Sequence, residues 1–243
     1  MVADNLKSIL SKLPPEVKLV AVSKFHPAQD ILEAYNAGQR RFGENRPQEF
    51  ASKVVELPGD IEWHFIGHLQ TNKLKLVLPY ASLVESVDSQ RLLDAIEKWG
   101  SEHDKVIDVL LELHLGAEET KGGFTEAEIE HLLSVFSEAE DATAPCASRT
   151  VRVNGRGGTL PPKPGYRHVR FRGLMGMATN TDDQSVVEAD FARIEAFYKS
   201  LEERFSLPGF TELSIGMSHD WPLALMHGAT IVRIGTAIFG PRA

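Results

Sequence analysis

Cysteine is almost missing from this chain. Cys146 is the only one in 243 residues, which excludes an intrachain disulfide and any centre built from several thiolates, and fits a reducing compartment. Long apolar runs are missing too. No stretch approaches the roughly 18 residues that a membrane-spanning helix needs. The N-terminal "MVADNLKSILSKLPPEVK" has no apolar core of signal-peptide length; it reads as a short amphipathic helix with Leu6, Ile9, Leu10 and Leu13 on one face. Basic charge is scarce: 26 Lys and Arg stand against 34 Asp and Glu, a formal charge of −8. Nucleic-acid binding by counterion release needs the opposite, a concentrated basic face. A soluble cytoplasmic protein is therefore expected, with no membrane or nucleic-acid partner.

What is present is a regular alternation. β-type runs occur at 18–24, 40–46, 61–69, 82–88, 106–116, 169–178, 211–218 and 229–239. Helical patterns lie between them, near 27–38, 46–57, 70–78, 89–102, 125–140, 183–206 and 221–228. In the first of these, Ile31, Ala34 and Tyr35 share a face and Gly38 supplies a C-terminal stop. Strict β–α alternation implies a parallel sheet covered on both sides, and eight such units predict a closed (β/α)8 barrel with the N-terminal helix added. An open doubly wound sheet is the alternative, but no G-x-G-x-x-G follows the first strand to support it. The expected organisation is one barrel domain over 1–243, interrupted by an irregular Pro/Gly/Arg-rich insertion at about 141–168. That insertion carries five Lys or Arg against one Asp. It precedes the sixth strand, on the barrel face away from chemistry, and reads as a solvated arm.

The apolar run of "KLVAVSKFHP" ends on Lys24. Val20, Val22 and Lys24 share a strand face, so the lysine points inward at the C-terminal end of strand one, where barrel enzymes keep their active sites. A strand-end lysine ordinarily reaches out to water; one that is desolvated keeps a neutral amine able to attack an aldehyde. In "IVRIGTAIFG", Ile231, Arg233 and Gly235 share a face, so either Arg233 or its apolar neighbours point into the barrel. A buried guanidinium demands a partner. Gly235 and Thr236, with Gly216 and Ser218 of "SIGMSHD", place close backbone and small hydroxyls after strands seven and eight, where many barrels bind phosphate. His64 and His68 lie four apart, over 12 Å along a strand at about 3.3 Å per residue, too far to chelate one ion. Met175 and Met177 read as a packed, adaptable wall. An inward lysine, a phosphate cradle and a buried arginine together point to pyridoxal 5′-phosphate (PLP). The aldehyde would bond to Lys24, the phosphate would meet Ser218, Gly235 and Thr236, and Arg233 would face the pyridine nitrogen.

The motifs "LVAVSK", "RFGENRPQE", "WHFIGHLQTNK", "RGLMGMATNTDD", "LSIGMSHD" and "VRIGTAIFG" resemble the pyridoxal phosphate homeostasis protein family, in order and over roughly residues 18 to 241. The resemblance implies the fold of the alanine racemase N-terminal domain. It implies a Schiff-base role for Lys24, a position beside the cofactor ring for Asn45, a ring-lining role for Met217, and a phosphate set of Ser218, Gly235 and Thr236. Arg233 takes the pyridine-nitrogen position, and Lys121 matches a family lysine. His219 stands where the family often has an acidic residue, so an altered hydrogen bond is expected in that loop.

Three activities fit such a site: a PLP-binding protein that holds and delivers the cofactor, a PLP-dependent racemase, and a PLP-independent Schiff-base aldolase. Cationic Arg233 disfavours the pyridinium proton on which carbanion chemistry depends. Racemisation also needs an acid/base group on each substrate face. Lys24 supplies one, and the chain ends soon after Gly240 without the second domain that brings the other in alanine racemases. A racemase would therefore need Tyr80, Tyr35 or a histidine to substitute. The expected function is therefore a monomeric, non-catalytic PLP carrier in PLP homeostasis, with PLP-dependent apoenzymes as recipients. An aldolase needs no such phosphate cradle, though phosphorylated sugars could use one.

Overall fold

The computed structural model describes residues 1–116, 122–140, 166–205, 207 and 209–241. Eight parallel strands close into a barrel in sequence order. They are β1 (Lys18–Val22), β2 (Arg41–Glu44), β3 (Glu62–Phe65), β4 (Ala81–Val87), β5 (Ile107–Leu113), β6 (Val169–Gly176), β7 (Glu212–Ser214) and β8 (Ile231–Ile234). Closure is made by β1 against β8, with Val20 opposite Arg233 and Ala21 opposite Ile234. The (β/α)8 barrel expected from the alternation is the fold observed.

Helices α1 (Val2–Leu10), α2 (Ala28–Asn36), α3 (Pro47–Glu56), α4 (Leu74–Val77), α5 (Gln90–His103), α6 (Glu126–Glu140), α7 (Gln184–Arg204), α8 (Trp221–Met226) and α9 (Thr236–Phe239) accompany the strands. Alternation along each strand divides the apolar residues into two cores. The small inner one gathers Val20, Leu83, Leu110, Met175 and Ile231 inside the barrel. The large outer one lies between strands and helices and includes Phe42, Phe50, Phe65 and Phe191. There Phe50 meets Trp63 and Phe65 edge-on, with ring centroids 5.8 and 5.9 Å away, a favoured aromatic geometry. Gly38, at φ +106°, ends α2 as expected.

The boundaries differ from the sequence reading in one systematic way. Each strand that opens on the site stops short, so Lys24, Asn45, Met217, Ser218 and Gly235 stand in the loops after the strands and Thr236 opens α9. The run 229–239 is strand only over Ile231–Ile234; Thr236–Phe239 is helical and buries Ile238 and Phe239. A continuous apolar run does not by itself separate strand from helix, and here the break falls at Gly235. On α1 the buried face is Val2, Leu6 and Ile9, while Leu10 is exposed. The helix lies against α9 through Asn5 Nδ2, which donates to the Ile238 carbonyl at 3.0 Å, and this rotates Leu10 to solvent. Of the expected insertion at 141–168, residues 141–165 lie outside the described residues, as does Lys121. Its last residues are fastened to α5: Tyr166 donates to Asp94 at 2.6 Å and the His168 amide to Glu97 at 2.8 Å.

Candidate functional site

The C-terminal ends of β1, β7 and β8 open onto a cavity of about 140 Å³. Six of the seven sequence candidates line it: Lys24, Met217, Ser218, Arg233, Gly235 and Thr236. Its apolar walls are Val22, Ile66, Met175 and Met177, and His26 completes the lining. Lys24 is half-buried just beyond β1. Val22 lines the same wall, so the face on which alternation placed the lysine persists past the strand end.

Arg233 is the inward residue of β8 and is 4% exposed. Its Nη1 donates to the Ser214 carbonyl and hydroxyl at 2.7 and 2.5 Å, and its Nη2 to the Gly176 carbonyl at 2.9 Å. The charge is balanced by Glu85 of β4, whose Oε2 lies 3.6 Å from Nη1. Ser214 links the two, accepting from Arg233 and donating to Glu85 Oε2 at 2.6 Å. Glu85 Oε1 lies 2.5 Å from His64 Nδ1; the carboxylate can only accept, so Nδ1 carries the proton. Burial pushes the Glu85 carboxyl upward, but the His64 hydrogen bond, the nearby charges of His64 and Arg233 and the Ser214 hydroxyl outweigh it and hold the group below the usual range. A fixed cation thus sits on the cavity floor, held by a buried network through Ser214, Gly176, Glu85 and His64.

The rim is built from the turns after β7 and β8. Gly216 has φ +92°, and a Cβ there would lie 2.6 Å from the Ala224 Cβ, so the turn into α8 requires glycine. Beyond it the Met217 amide donates to Asp220 Oδ1 at 2.5 Å. Asp220, rather than exposed His219, closes this loop. The Gly235 amide donates to Ser218 Oγ at 3.2 Å, joining the two turns. Gly235 approaches β1 closely: a Cβ on it would come within 3.0 Å of the Val22 carbonyl oxygen.

Asn45 is the candidate the structure does not bring to the lining. It follows β2, half-buried, with Oδ1 enclosed and without a hydrogen-bond partner. His64 and His68 have separate carboxylates, Glu85 and Asp88. His26 is held by stacking on Phe239, centroids 5.0 Å apart, and by Asp30 at 3.5 Å. Sequence reasoning missed Ile66, His26 and the side-chain partners of Arg233, Glu85 and Ser214. A glutamate within the strand run of β4 was the available signal for Glu85.

The donor set fits PLP chemically. An amine for an aldehyde and a fixed cation on the floor share one cavity with apolar walls for a ring and hydroxyls at its rim. Barrel and site together define the alanine racemase N-terminal domain class, and that family matches residues 1–144. The chain belongs to the pyridoxal phosphate homeostasis protein family. It is 34% identical over 229 residues to the protein of that name from Schizosaccharomyces pombe, covering 93% of this chain and 84% of the relative. The Aquifex aeolicus protein of the same name is 37% identical over 226 residues, covering 93% and 87%. Among solved structures, PipY of Synechococcus elongatus PCC7942 without PLP has a TM-score of 0.84 at 36% identity, covering 99% of this chain and 100% of that one. PipY with PLP bound gives 0.80 at 34%, with the same coverage. Alanine racemase from E. faecalis shares the fold, at TM-score 0.70 and 17% identity, and this chain spans 57% of its length.

Proposed function

We propose that this protein holds PLP as a Schiff base on Lys24 and serves cytoplasmic PLP homeostasis, taking up and releasing the cofactor as a monomer without efficient turnover. The observation that carries the reading is the shared cavity: the Lys24 amine and buried Arg233 line one space, with Ser218, Gly235 and Thr236 at its rim. The family relatives, and a neighbour solved with PLP bound, support it.

Each residue has a task. The Lys24 amine would hold the aldehyde by condensation, with the carbonyl oxygen leaving as water and nothing oxidised or reduced. Met217, Ile66 and Val22 would enclose the ring, while Ser218, Gly235 and Thr236 would hold the phosphate. Arg233 would present a cation toward the ring nitrogen and so disfavour a proton there. Bound PLP supplies an electron sink, most effective with that nitrogen protonated; the arginine therefore favours storage over carbanion chemistry. Half-buried Lys24 and exposed Thr236 leave a route by which PLP passes to an apoenzyme.

The racemase alternative rests on His26, the further titratable side chain in the lining. Alanine racemisation by the PLP-loaded protein, lost in His26→Ala, would establish it. The carrier reading is tested by visible absorption before and after borohydride, with peptide mass mapping. A band removed by borohydride and a pyridoxyl adduct on Lys24 support it. In Lys24→Ala the adduct should vanish while the fold stays intact, and a protein that takes up no PLP overturns the proposal.

A further inference from the structure

Behind Lys24, on the outer side of the barrel wall, lies a buried charged cluster whose side chains are not among the cavity lining, though the Ser23 carbonyl also accepts from the amide of lining residue His26 at 3.1 Å. Lys53 of α3 is 6% exposed and Glu44 of β2 fully buried. Lys53 Nζ donates to Glu44 Oε1 at 2.8 Å, to Glu49 Oε1 at 2.7 Å and to the Ser23 carbonyl at 2.9 Å. These use all three donors of the ammonium. Ser23 Oγ also donates to Glu44 Oε1 at 2.6 Å. On the other side of Lys24, the Phe25 amide donates to Glu49 Oε1 at 2.6 Å.

Two unfavourable features meet here. Phe25 has φ +67°, a left-handed conformation that side chains rarely adopt. Glu44 Oε2 is buried without a hydrogen-bond partner. A buried ion pair of this kind contributes little net stability over an apolar replacement, and residues held in sparsely populated backbone regions concentrate at functional sites. The bonds converge on the residues immediately before and after the lysine.

We infer that Ser23, Glu44, Glu49 and Lys53 are positioning residues, fixing the backbone on both sides of Lys24 so that its amine is preset for condensation with an aldehyde in the cavity. The inference rests on the proposed role of Lys24. Glu49 pins the strained Phe25 peptide, Lys53 ties that pin to the Ser23 carbonyl, and Glu44 anchors both from the strand.

The test compares two probes on the whole protein. PLP reports condensation through the rate of its absorbance change. Pyridoxine 5′-phosphate, an alcohol where PLP has the aldehyde, reports non-covalent binding alone. Glu49→Ala removes the Phe25 pin and should slow PLP condensation about tenfold, leaving the Kd for pyridoxine 5′-phosphate within about twofold. Glu49→Gln keeps an acceptor oxygen and should restore most of the rate. An unchanged condensation rate in Glu49→Ala overturns the inference, and so does equal weakening of both probes, which marks a merely structural role. Should Glu49→Ala not fold, Ser23→Ala carries the same comparison. A wild-type protein that binds pyridoxine 5′-phosphate but never condenses with PLP overturns the Lys24 reading instead.

Discussion

Arg233 and Glu85 face each other inside the barrel, Nη1 3.6 Å from Oε2, with the Ser214 hydroxyl bonded to both. Each charge is costly to bury alone, and removing one partner of such a pair leaves the other uncompensated, typically a loss of about 3–5 kcal/mol. Glu85→Gln keeps the shape but not the charge. It should lower unfolding free energy at pH 7 by about 3 kcal/mol, read by urea denaturation. The pH dependence follows from the lowered carboxyl. The stability it contributes is present above the unfolded-state value of 4.5 and is lost as pH falls through the still lower folded value. The gap between wild type and Glu85→Gln should therefore close in acid. A gap that persists unchanged at pH 3 contradicts this pairing.

On the proposed function, in which Arg233 faces the cofactor ring, Arg233→Gln distinguishes that contact from retention. Lys24 and the hydroxyls of Ser218 and Thr236 remain, so bound PLP should stay near one per chain while its absorption maximum and the pH dependence of the band move. Complete loss of PLP in a variant that still unfolds cooperatively would place the ring away from Arg233.

Much of this was legible in the sequence because barrels translate strand alternation directly into geometry. Val20, Val22 and Lys24 read as one face, and the structure sets Val22 and Lys24 on one cavity wall. Glycines and hydroxyls just after β7 and β8 could be read as a rim because strand ends meet only at the C-terminal mouth. Glu85 was not legible as the partner of Arg233. Their proximity depends on how eight strands close across the barrel, which no local pattern encodes. Asn45 was placed through resemblance, and local packing decides its side chain: Gly67 crosses so closely that a Cβ on it would lie 2.2 Å from the Asn45 carbonyl oxygen. The helical turn of α9 was hidden because its Ile238 and Phe239 prolong an apolar strand without a change of composition.

Gly216, at the rim, and Gly38, at the end of α2, form a controlled comparison. Both have positive φ, but a Cβ on Gly38 meets nothing within 4 Å, whereas one on Gly216 meets Ala224 at 2.6 Å and the Trp221 Cα at 3.0 Å. Gly38→Ala should cost about 1 kcal/mol from backbone strain alone. Gly216→Ala adds steric displacement of α8 and should cost about 2–4 kcal/mol. Only the second should weaken PLP retention, because Met217 and Ser218 follow it directly. Equal costs and equal retention, measured by denaturation and by dialysis against buffer, would remove Gly216 from the rim's architecture.

Glu112 gives the sharpest pH prediction. It is buried near the C-terminal end of β5, opposite Met175 across the β5–β6 ladder. Its carboxyl is pushed up to about 7, first by burial and then by the negative charge of Asp88, against the weaker pull of Arg233 and His68. In the unfolded chain the group ionises near its ordinary value of 4.5, so between pH 4.5 and 7 the unfolded state sheds a proton that the folded state keeps. Stability must then fall as pH rises through this window and level off above it. Glu112→Gln removes the ionisation. Its stability should match wild type near pH 4 and exceed it by about 2–3 kcal/mol at pH 8, with the difference growing between these limits. Urea denaturation at half-unit pH steps reads this directly. A difference that is flat across the range would show that Glu112 ionises normally in the folded barrel.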